Sequence, residues 1–436
     1  MAPPRAKSRS WPLTLLIVGM PLWWALGLSG LIWMIAALPM AIITLGRTPI
    51  RAPRGFGLYM LFLTWVFVSM SQAEGLRFIS VGYRLVLYIA TAVVFLYVYN
   101  LSHEELPRTR VLKLAVVYMI YSVAGGYLAL ILHDLEFTSV VERLLPAAVR
   151  SNEYASSLVH PRFAQNHEFL GFPLYRPTVP FTFTNEWGSG VALLTPLFIA
   201  AFAGLDRRWR SAIVVTGFAA LIPIVISVNR GLWLTLLIAV GYGAVMLASR
   251  GDIKYFKGLV GLGAAIAVVL LLTPLGGLVS GRIANGHSDE GRMTLYGQVI
   301  DQIQDSPWVG YGAPRVNEER PNLPAVGTHG QFWTVLYSHG IPGALLYVSF
   351  SLGLAWRTLK GQDRVGVWIH VTTALVPILM WFYELINQPI FLVFVAGAIA
   401  LRGVPPASTP STSEAVAPSS IPQPHQPTGT HKPART

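Results

Sequence analysis

The residues best suited to chemistry in this chain are one histidine and two arginines at the ends of apolar runs. His329 stands just before the apolar run "QFWTVLYSHGIPGALLYV", and Arg230 lies in a short turn within "VISVNRGLWL". Arg292 opens the segment "RMTLYGQVIDQI". A guanidinium group binds phosphate oxygens through two parallel hydrogen bonds, and an imidazole exchanges a proton near neutral pH. These residue types predict a site that binds an anion and can accept a proton.

Two further arginines occupy similar positions. Arg84, in "SVGYRLVLYIA", lies just inside the end of an apolar run, and Arg176 precedes the aromatic-rich turn "PTVPFTFTNEW". An arginine at such a depth is costly unless it reaches water or pairs with an anion. Arg84 could instead pair with Glu74 or Glu384. We predict that both arginines project toward the same anion as the first three residues.

Each of the first three residues also has a purely structural interpretation. His329 could be a histidine that reaches the membrane interface from the end of a span, and Arg230 could be a topological anchor. Arg292 could be a solvated residue on a helix face. The positive-inside rule would place an anchoring arginine on the cytoplasmic side, which favours a functional role for Arg230.

The other ionisable groups argue against several chemistries. The chain has no cysteine, which excludes disulfides, thiolate nucleophiles and cysteine metal sites. The carboxylates predicted to face outward show no pairing at metal or glycosidase spacing; they are Glu153, Glu168, Glu186, Asp289, Glu290, Glu318 and Glu319. These features argue against thiol, metal-assisted and glycosidase chemistry.

The elements that must position these residues are membrane spans. Of the 436 residues, 53% are hydrophobic and only 12% are charged, and the mean hydropathy is +0.53. Apolar runs of about 17–25 residues recur along the chain, long enough to cross a bilayer as helices. The first run, "WPLTLLIVGMPLWWALGLSG", is longer than the apolar region of a signal peptide, which predicts a retained span. The composition predicts an all-α, polytopic membrane protein.

The pattern of charge predicts about twelve spans with both termini on the cytoplasmic side. The span centres fall near residues 20, 38, 65, 88, 123, 195, 219, 240, 268, 344, 375 and 394. Alternate loops are basic, for example "RTPIRAPR", "PRTRVLK" and "DRRWR", which places them in the cytoplasm of an inner-membrane protein. Because the net charge of +12 is concentrated in such loops, it does not indicate a nucleic-acid partner.

Two long segments alternate with the basic loops and are therefore predicted to face outward, at about residues 133–186 and 281–330. In the second, Met293, Tyr296, Val299, Ile300 and Ile303 recur at helical spacing, which predicts an amphipathic helix along the outer membrane surface. Residues 1–402 form the predicted membrane domain. Residues 403–436 are rich in Pro, Ser and Thr, which predicts a disordered cytoplasmic tail.

This topology places the arginines and the histidine at the outer membrane interface. A cluster of cations at that depth suits a multiply charged anion whose apolar part stays in the bilayer. The diphosphate of a polyprenyl carrier lipid has this chemistry, because arginine binds its oxygens bidentately while the tail remains in the membrane.

Four segments, read in order, resemble the O-antigen ligase and Wzy polymerase superfamily. "VNRGLWL" is similar to its Ser-Arg-Gly-x-Trp-Leu motif, and "GRMTLYGQVIDQIQDSPWVGYG" to its Gly-Arg-x-x-x-Trp…Pro-x-x-Gly-x-Gly segment. "THGQFWTVLYSHGIPGALLYV" resembles its Ala-His-Asn segment, and "RPTVPFTFTNEW" more loosely resembles its Arg-x-x-Gly-Thr-Phe-x-x-Pro-Asn turn. The matches cover roughly residues 176–350.

The resemblance implies an integral-membrane glycosyltransferase with an undecaprenyl-diphosphate-linked glycan donor, a lipid- or glycan-linked acceptor and no metal requirement. His329 would be the general base, and Arg230 and Arg292 would stabilise the leaving diphosphate, with inversion at the anomeric carbon. The predicted substrate-binding residues are Arg84, Arg176, Asn229 and Tyr296. The chain departs from the family pattern at Asn229, Tyr296 and Gly330, where Ser, Trp and Asn are usual.

Several alternatives remain open at the level of sequence. An O-antigen ligase accepts a lipid A-core sugar, whereas a polymerase accepts another carrier-linked repeat unit; attachment to a protein is a lesser option. A RodA-type peptidoglycan polymerase is the nearest other enzyme, although its aspartate motif has no clear counterpart here. A flippase or transporter for lipid-linked glycans would bind the same carrier. The ionisable residues gather at the outer ends of the spans and no internal repeat is evident, which favours chemistry over translocation.

Overall fold

The structure is a computed structural model that describes residues 9–73, 75, 77–168, 171–273, 275–284, 287–359 and 363–402. The predicted disordered tail, residues 403–436, and Glu74, the first alternative partner of Arg84, lie outside the described residues.

The described residues are mainly helical. A single 3-10 turn spans Met70–Gln72, and the α-helices are α1 (Trp11–Val18), α2 (Met20–Ala25), α3 (Ile32–Leu45), α4 (Phe56–Ser69), α5 (Arg77–Asn100), α6 (Arg108–Ile131), α7 (Val140–Leu144), α8 (Ala147–Arg150), α9 (Glu153–Val159), α10 (Thr184–Gly204), α11 (Arg207–Ile226), α12 (Arg230–Ala248), α13 (Ile253–Leu272), α14 (Leu275–Ala284), α15 (His287–Ile303), α16 (Gln331–Thr358), α17 (Arg364–Ala374), α18 (Val376–Leu379) and α19 (Gln388–Arg402).

Six of these helices, α5, α6, α10, α11, α12 and α16, are long and apolar enough to cross a membrane. Shorter apolar helices lie at Ile32–Leu45, Phe56–Gln72, Arg364–Leu379 and Gln388–Arg402. Eleven of the twelve predicted span centres fall within a helix, and the centre near residue 375 falls between the consecutive helices α17 and α18. The chain is therefore a multi-pass membrane protein, as predicted. The number of spans and their orientation stay predictions.

Helix α10 lies at the centre of the bundle and packs against α6, α12, α17 and α19. Nearly all of its side chains from Thr184 to Leu194 are buried. Its small residues allow a close approach to α12, because a Cβ atom on Gly188 would lie 2.3 Å from the side-chain nitrogen of Asn229. The start of α12, which carries Arg230, is thus fixed against a largely buried helix.

The first long loop adds a short β-hairpin to the mainly helical fold, which the sequence did not predict. Besides α7, α8 and α9 it contains an antiparallel hairpin of strands β1 (Ala164–His167) and β2 (Leu174–Pro177), in which Gln165 pairs with Arg176. The strands are four residues long and mix polar and apolar residues without alternation, so they leave no periodic pattern in the sequence. The hairpin presents Arg176 beside the end of α11.

The second long loop contains the predicted amphipathic helix as α15, which confirms its helical character. Val299 and Ile303 of its predicted apolar face are buried together with Leu295, while Met293 and Ile300 are 67% and 51% exposed. Its position along the membrane surface stays a prediction. Helix α15 packs on the start of α16. Since α15 begins at His287, Arg292 lies in its second turn.

Candidate active site

A cavity of about 300 Å³ lies where the hairpin, the turn between α11 and α12, helix α15 and the segment before α16 meet. These four elements belong to the segments that the sequence predicts to face outward. The residues that line the cavity are His167, Arg176, Asn185, Val228, Asn229, Arg230, Gly231, Gly291, Arg292, Leu295, Leu323, Pro324 and His329. The structure thus brings together five of the seven predicted site residues.

The cavity is strongly basic. Its described lining contains three arginines and two histidines but neither aspartate nor glutamate. Like charges held close together repel one another unless an anion lies between them. Guanidinium groups form charge-assisted hydrogen bonds that suit phosphate oxygens. The lining therefore matches a ligand with more than one negative charge.

Arg176 is fixed within its wall of the cavity. Its side chain is buried, and Nε donates a hydrogen bond to the carbonyl oxygen of Ser227 at 2.7 Å. Ser227 is the C-cap of α11 and directly precedes Val228 and Asn229, so this contact joins the hairpin to the turn before α12. A guanidinium held in this way loses less side-chain entropy when it binds a ligand.

Asn229 is the N-cap of α12. Its side-chain oxygen accepts hydrogen bonds from the backbone N–H of Leu232 at 3.2 Å and from the hydroxyl of Tyr383 at 2.6 Å. A side-chain oxygen at this position satisfies one of the unpaired N–H groups of a first helical turn. Arg230 follows as the first residue of the helix, where the helix dipole adds to the attraction for an anion. Asn229 therefore fixes the direction in which α12 begins.

The backbone is strained on both sides of the cavity. Val228 has a φ of +50° and His329 a φ of +68°, and the third described non-glycine residue with a positive φ is Asn387. A positive φ is a clear outlier for a β-branched residue, whereas histidine adopts it more often. Such strain persists only where the surrounding structure imposes it, and it is concentrated at functional sites. Here it occurs at His329 itself and two residues before Arg230.

The segment that carries His329 is fixed from two sides. The hydroxyl of Tyr296 donates to the carbonyl oxygen of His329 at 2.9 Å, and the ring of Tyr296 stacks on Trp333 with 4.5 Å between centroids. On the other side, the backbone N–H of Gln331 donates to the carbonyl oxygen of Tyr383 at 2.8 Å. Tyr296 was predicted to bind substrate; it lies outside the lining and contacts the backbone of the histidine.

The imidazole of His329 is neutral over the physiological pH range. Burial and, to a smaller extent, the positive charge of Arg292 together lower its pKa to about 4. Its Nδ1 lies 2.9 Å from the hydroxyl oxygen of Thr328. A neutral imidazole at the wall of a cationic cavity is able to take a proton from a bound hydroxyl group.

Arg84 lies outside the cavity. It is buried and donates to a carboxylate oxygen of Glu384 at 3.0 Å, which is the second of its two predicted partners. A buried arginine of this kind requires a counter-charge, because removing either partner leaves an unpaired charge. Its pairing supports the segment 380–387 that also contacts Asn229 and the start of α16.

Sequence reasoning missed four residues that the structure places in or beside the site. His167 and Asn185 line the cavity, Thr328 contacts His329, and Tyr383 bonds to Asn229. Asn185 stands where the aromatic-rich turn of the resembled family ends in Asn, which was a usable signal. His167 and Tyr383 are distant in sequence from the other site residues, and no motif around them marks them as part of a site. Their place in the site depends on how distant segments of the chain pack together.

Among the described residues, no group of three or more histidine, aspartate or glutamate side chains is arranged to hold a metal ion. The positive charges in the lining are those of arginine side chains, which can contact a bound anion directly.

The comparison with known families agrees with the motifs. A family model described as O-Antigen ligase matches residues 215–348. The matched region contains Arg230, Arg292 and His329, and Arg176 and the hairpin lie before it. No curated protein matches the chain.

Proposed function

Because residues 215–348 belong to the O-antigen ligase and Wzy polymerase superfamily, we propose that the chain moves a glycan from an undecaprenyl-diphosphate-linked donor to the hydroxyl group of an acceptor sugar. The acceptor is lipid-linked or glycan-linked, and the reaction inverts the anomeric carbon without a metal ion or another cofactor. The observation that carries this proposal is the shared cavity of Arg176, Arg230, Arg292 and His329.

The arginines and the histidine divide the chemistry between donor and acceptor. Arg230 and Arg292, with Arg176, bind the diphosphate of the donor and stabilise the charge that develops on it as the anomeric C–O bond breaks. His329 takes the proton of the acceptor hydroxyl while that oxygen forms the new bond to the same carbon. The products are the extended glycan, undecaprenyl diphosphate and an imidazolium that returns its proton to water.

The other predicted binding residues act through their neighbours in this proposal. Asn229 sets the start of α12 and lines the cavity, Tyr296 holds the backbone of His329, and Arg84 stabilises the segment around Glu384. Each of them keeps a group that contacts the substrate in place.

We propose that the cavity opens on the outer side of the cytoplasmic membrane, with about twelve spans, both termini inside and a cytoplasmic tail. The alternation of basic loops supports this orientation. Since the chain has no cysteine, single cysteines report topology without background. We expect a membrane-impermeant maleimide to label Ser151→Cys in intact spheroplasts and to label Ser211→Cys only after permeabilisation. The reverse pattern would place the cavity in the cytoplasm.

The function is tested with purified protein in liposomes, carrier-linked oligosaccharide and two acceptors, a lipid A-core and a second carrier-linked glycan. We expect glycan transfer in the presence of EDTA, and the acceptor that is consumed distinguishes ligase from polymerase. Donor that crosses the bilayer unchanged, with no transfer to either acceptor, would instead indicate a flippase. Polymerisation of lipid II alone would indicate a peptidoglycan polymerase of the RodA type.

The lowered pKa of His329 predicts an unusual pH profile. An ordinary histidine has a pKa of about 6.5, so a base of that kind would lose activity below that pH. With a pKa of about 4, His329 stays neutral well below pH 6.5, and kcat/KM should change little between pH 7.5 and about 5.5. In the complex, the bound diphosphate offsets the charges of Arg176, Arg230 and Arg292. The acid limb of kcat should therefore lie at a higher pH than that of kcat/KM.

The same shift affects stability with a definite sign. In the unfolded chain His329 takes up a proton below a pH of about 6.5, whereas in the folded chain it does so only near pH 4. Its contribution to stability is complete above pH 6.5 and is lost as the pH falls toward 4. Thermal unfolding should therefore be measured at each assay pH, so that loss of folded protein is distinguished from loss of catalysis. An acid limb of kcat/KM at pH 6.5 in folded protein would contradict the assignment.

A further inference from the structure

The contacts of Thr328 determine which nitrogen of His329 carries the proton. The hydroxyl oxygen of Thr328 lies 2.7 Å from the carbonyl oxygen of Ala325 and 2.9 Å from Nδ1 of His329. A threonine hydroxyl has a single proton to donate. The carbonyl oxygen of Ala325 has none, so the hydroxyl donates to it, and the contact with Nδ1 is a hydrogen bond only if Nδ1 carries its own proton.

The alternative tautomer leaves a polar group without its partner. If Nδ1 were unprotonated, a single hydroxyl proton would face two acceptors, and either Ala325 or His329 would lose its hydrogen bond. The site is partly buried, and a polar group that loses its hydrogen bond there is destabilising. The contacts therefore favour the tautomer that is protonated on Nδ1.

The residue after the histidine explains why Thr328 is needed. In the resembled family an Asn follows the histidine, but here the position is Gly330. A Cβ atom at Gly330 would lie 2.7 Å from the carbonyl oxygen of Trp381 and 2.7 Å from the ring of Trp333. The local packing leaves no room for a side chain at that position, so an orienting group has to come from elsewhere.

We propose that Thr328 is a positioning residue that holds His329 in the Nδ1–H tautomer and thereby leaves the lone pair of Nε2 for the acceptor hydroxyl. The inference rests on the proposed function, because it assigns a task to Nε2 as the general base. Two further features fix the position of the imidazole: the left-handed backbone conformation of His329 and the hydrogen bond from the hydroxyl of Tyr296 to the carbonyl oxygen of His329.

The tautomer is measured directly by 15N NMR of the full chain, ring-labelled on histidine, in lipid nanodiscs. The signals of His329 are identified by their loss in His329→Asn. We expect the wild type to show a protonated Nδ1 and an unprotonated Nε2. Thr328→Val, which has nearly the same shape but no hydroxyl, should shift the ring toward the Nε2–H tautomer, and Thr328→Ser should restore the wild-type signals.

Transfer kinetics supply the second readout. Thr328→Val should lower kcat by about tenfold to a hundredfold, because a wrong tautomer removes the base from most molecules, and should change the donor KM by less than about twofold. Thr328→Ser should recover most of kcat. A purely structural threonine would instead change the thermal midpoint and both kinetic constants together, with no change in the tautomer.

The outcomes separate this inference from the proposed function. A wild-type His329 protonated on Nε2, or a Thr328→Val variant with unaltered tautomer and kcat, would overturn the role of Thr328. If the tautomer behaves as expected but His329→Asn still transfers glycan, the role of His329 as base fails while the hydrogen bond of Thr328 stands.

Discussion

Replacing His329 is expected to lower the rate of glycan transfer by about 10²–10⁴-fold, the range that general-base catalysis contributes. The preferred change is His329→Asn, because asparagine adopts the left-handed backbone that His329 requires, whereas alanine adds strain at a φ of +68°. The variant loses the group that takes the acceptor proton but keeps the arginines. We therefore expect kcat to fall while the donor still binds.

The measurement is single-turnover transfer together with the equilibrium binding of the carrier-linked donor. A matched control is His103→Ala. It removes a histidine from the short segment between α5 and α6, which does not line the cavity. We expect this control to keep wild-type activity. His329→Asn at wild-type rates, with normal thermal stability, would show that another group is the base; His167, which also lines the cavity, would then be the next candidate.

Replacing Arg230 with alanine is expected to lower kcat/KM by on the order of 10²–10³-fold, comparable to the loss of one donor from an oxyanion-binding site. Arg230 is the first residue of α12, at the basic cavity, where its charge and the helix dipole both favour an anion. Arg230→Lys keeps the charge but loses the bidentate fork, so it should recover only part of the rate. We expect kcat/KM to decrease in the order wild type, Arg230→Lys, Arg230→Ala.

The matched control for charge is Arg320→Ala, which removes an exposed arginine from the loop between α15 and α16. Because it does not line the cavity, its loss should leave donor binding and transfer within about twofold of wild type. Equal losses in Arg320→Ala and Arg230→Ala would mean that net positive charge near the membrane is what matters, and would contradict a specific diphosphate site.

Much of the site could be predicted because its main residues are costly where they stand. Arg230 and His329 are ionisable residues at the ends of long apolar runs, and such residues remain only where they have a partner or a task. Periodicity predicted helix α15, in which Val299 and Ile303 are buried while Met293 and Ile300 are exposed. Periodicity identifies an apolar face, but it does not tell which residues of that face pack against the protein.

The rest depends on contacts between distant segments, which no local pattern encodes. The hairpin of β1 and β2 is too short to show alternation, yet it places Arg176 and His167 in the cavity wall. Tyr383 reaches Asn229 across 154 residues of sequence. Arg84 had the same sequence character as Arg230, but it pairs with Glu384 outside the cavity whereas Arg230 lines it, and only the fold shows this difference.

The most direct test of the account is a cryo-electron microscopy structure of His329→Asn with the undecaprenyl-diphosphate-linked donor bound. This variant should hold the donor because it lacks the base. The account predicts that both phosphate groups lie among Arg176, Arg230 and Arg292, with the first sugar beside residue 329 and the lipid tail in the outer leaflet. A donor headgroup bound outside this cavity, or Arg230 and Arg292 on the membrane face opposite residue 329, would contradict it.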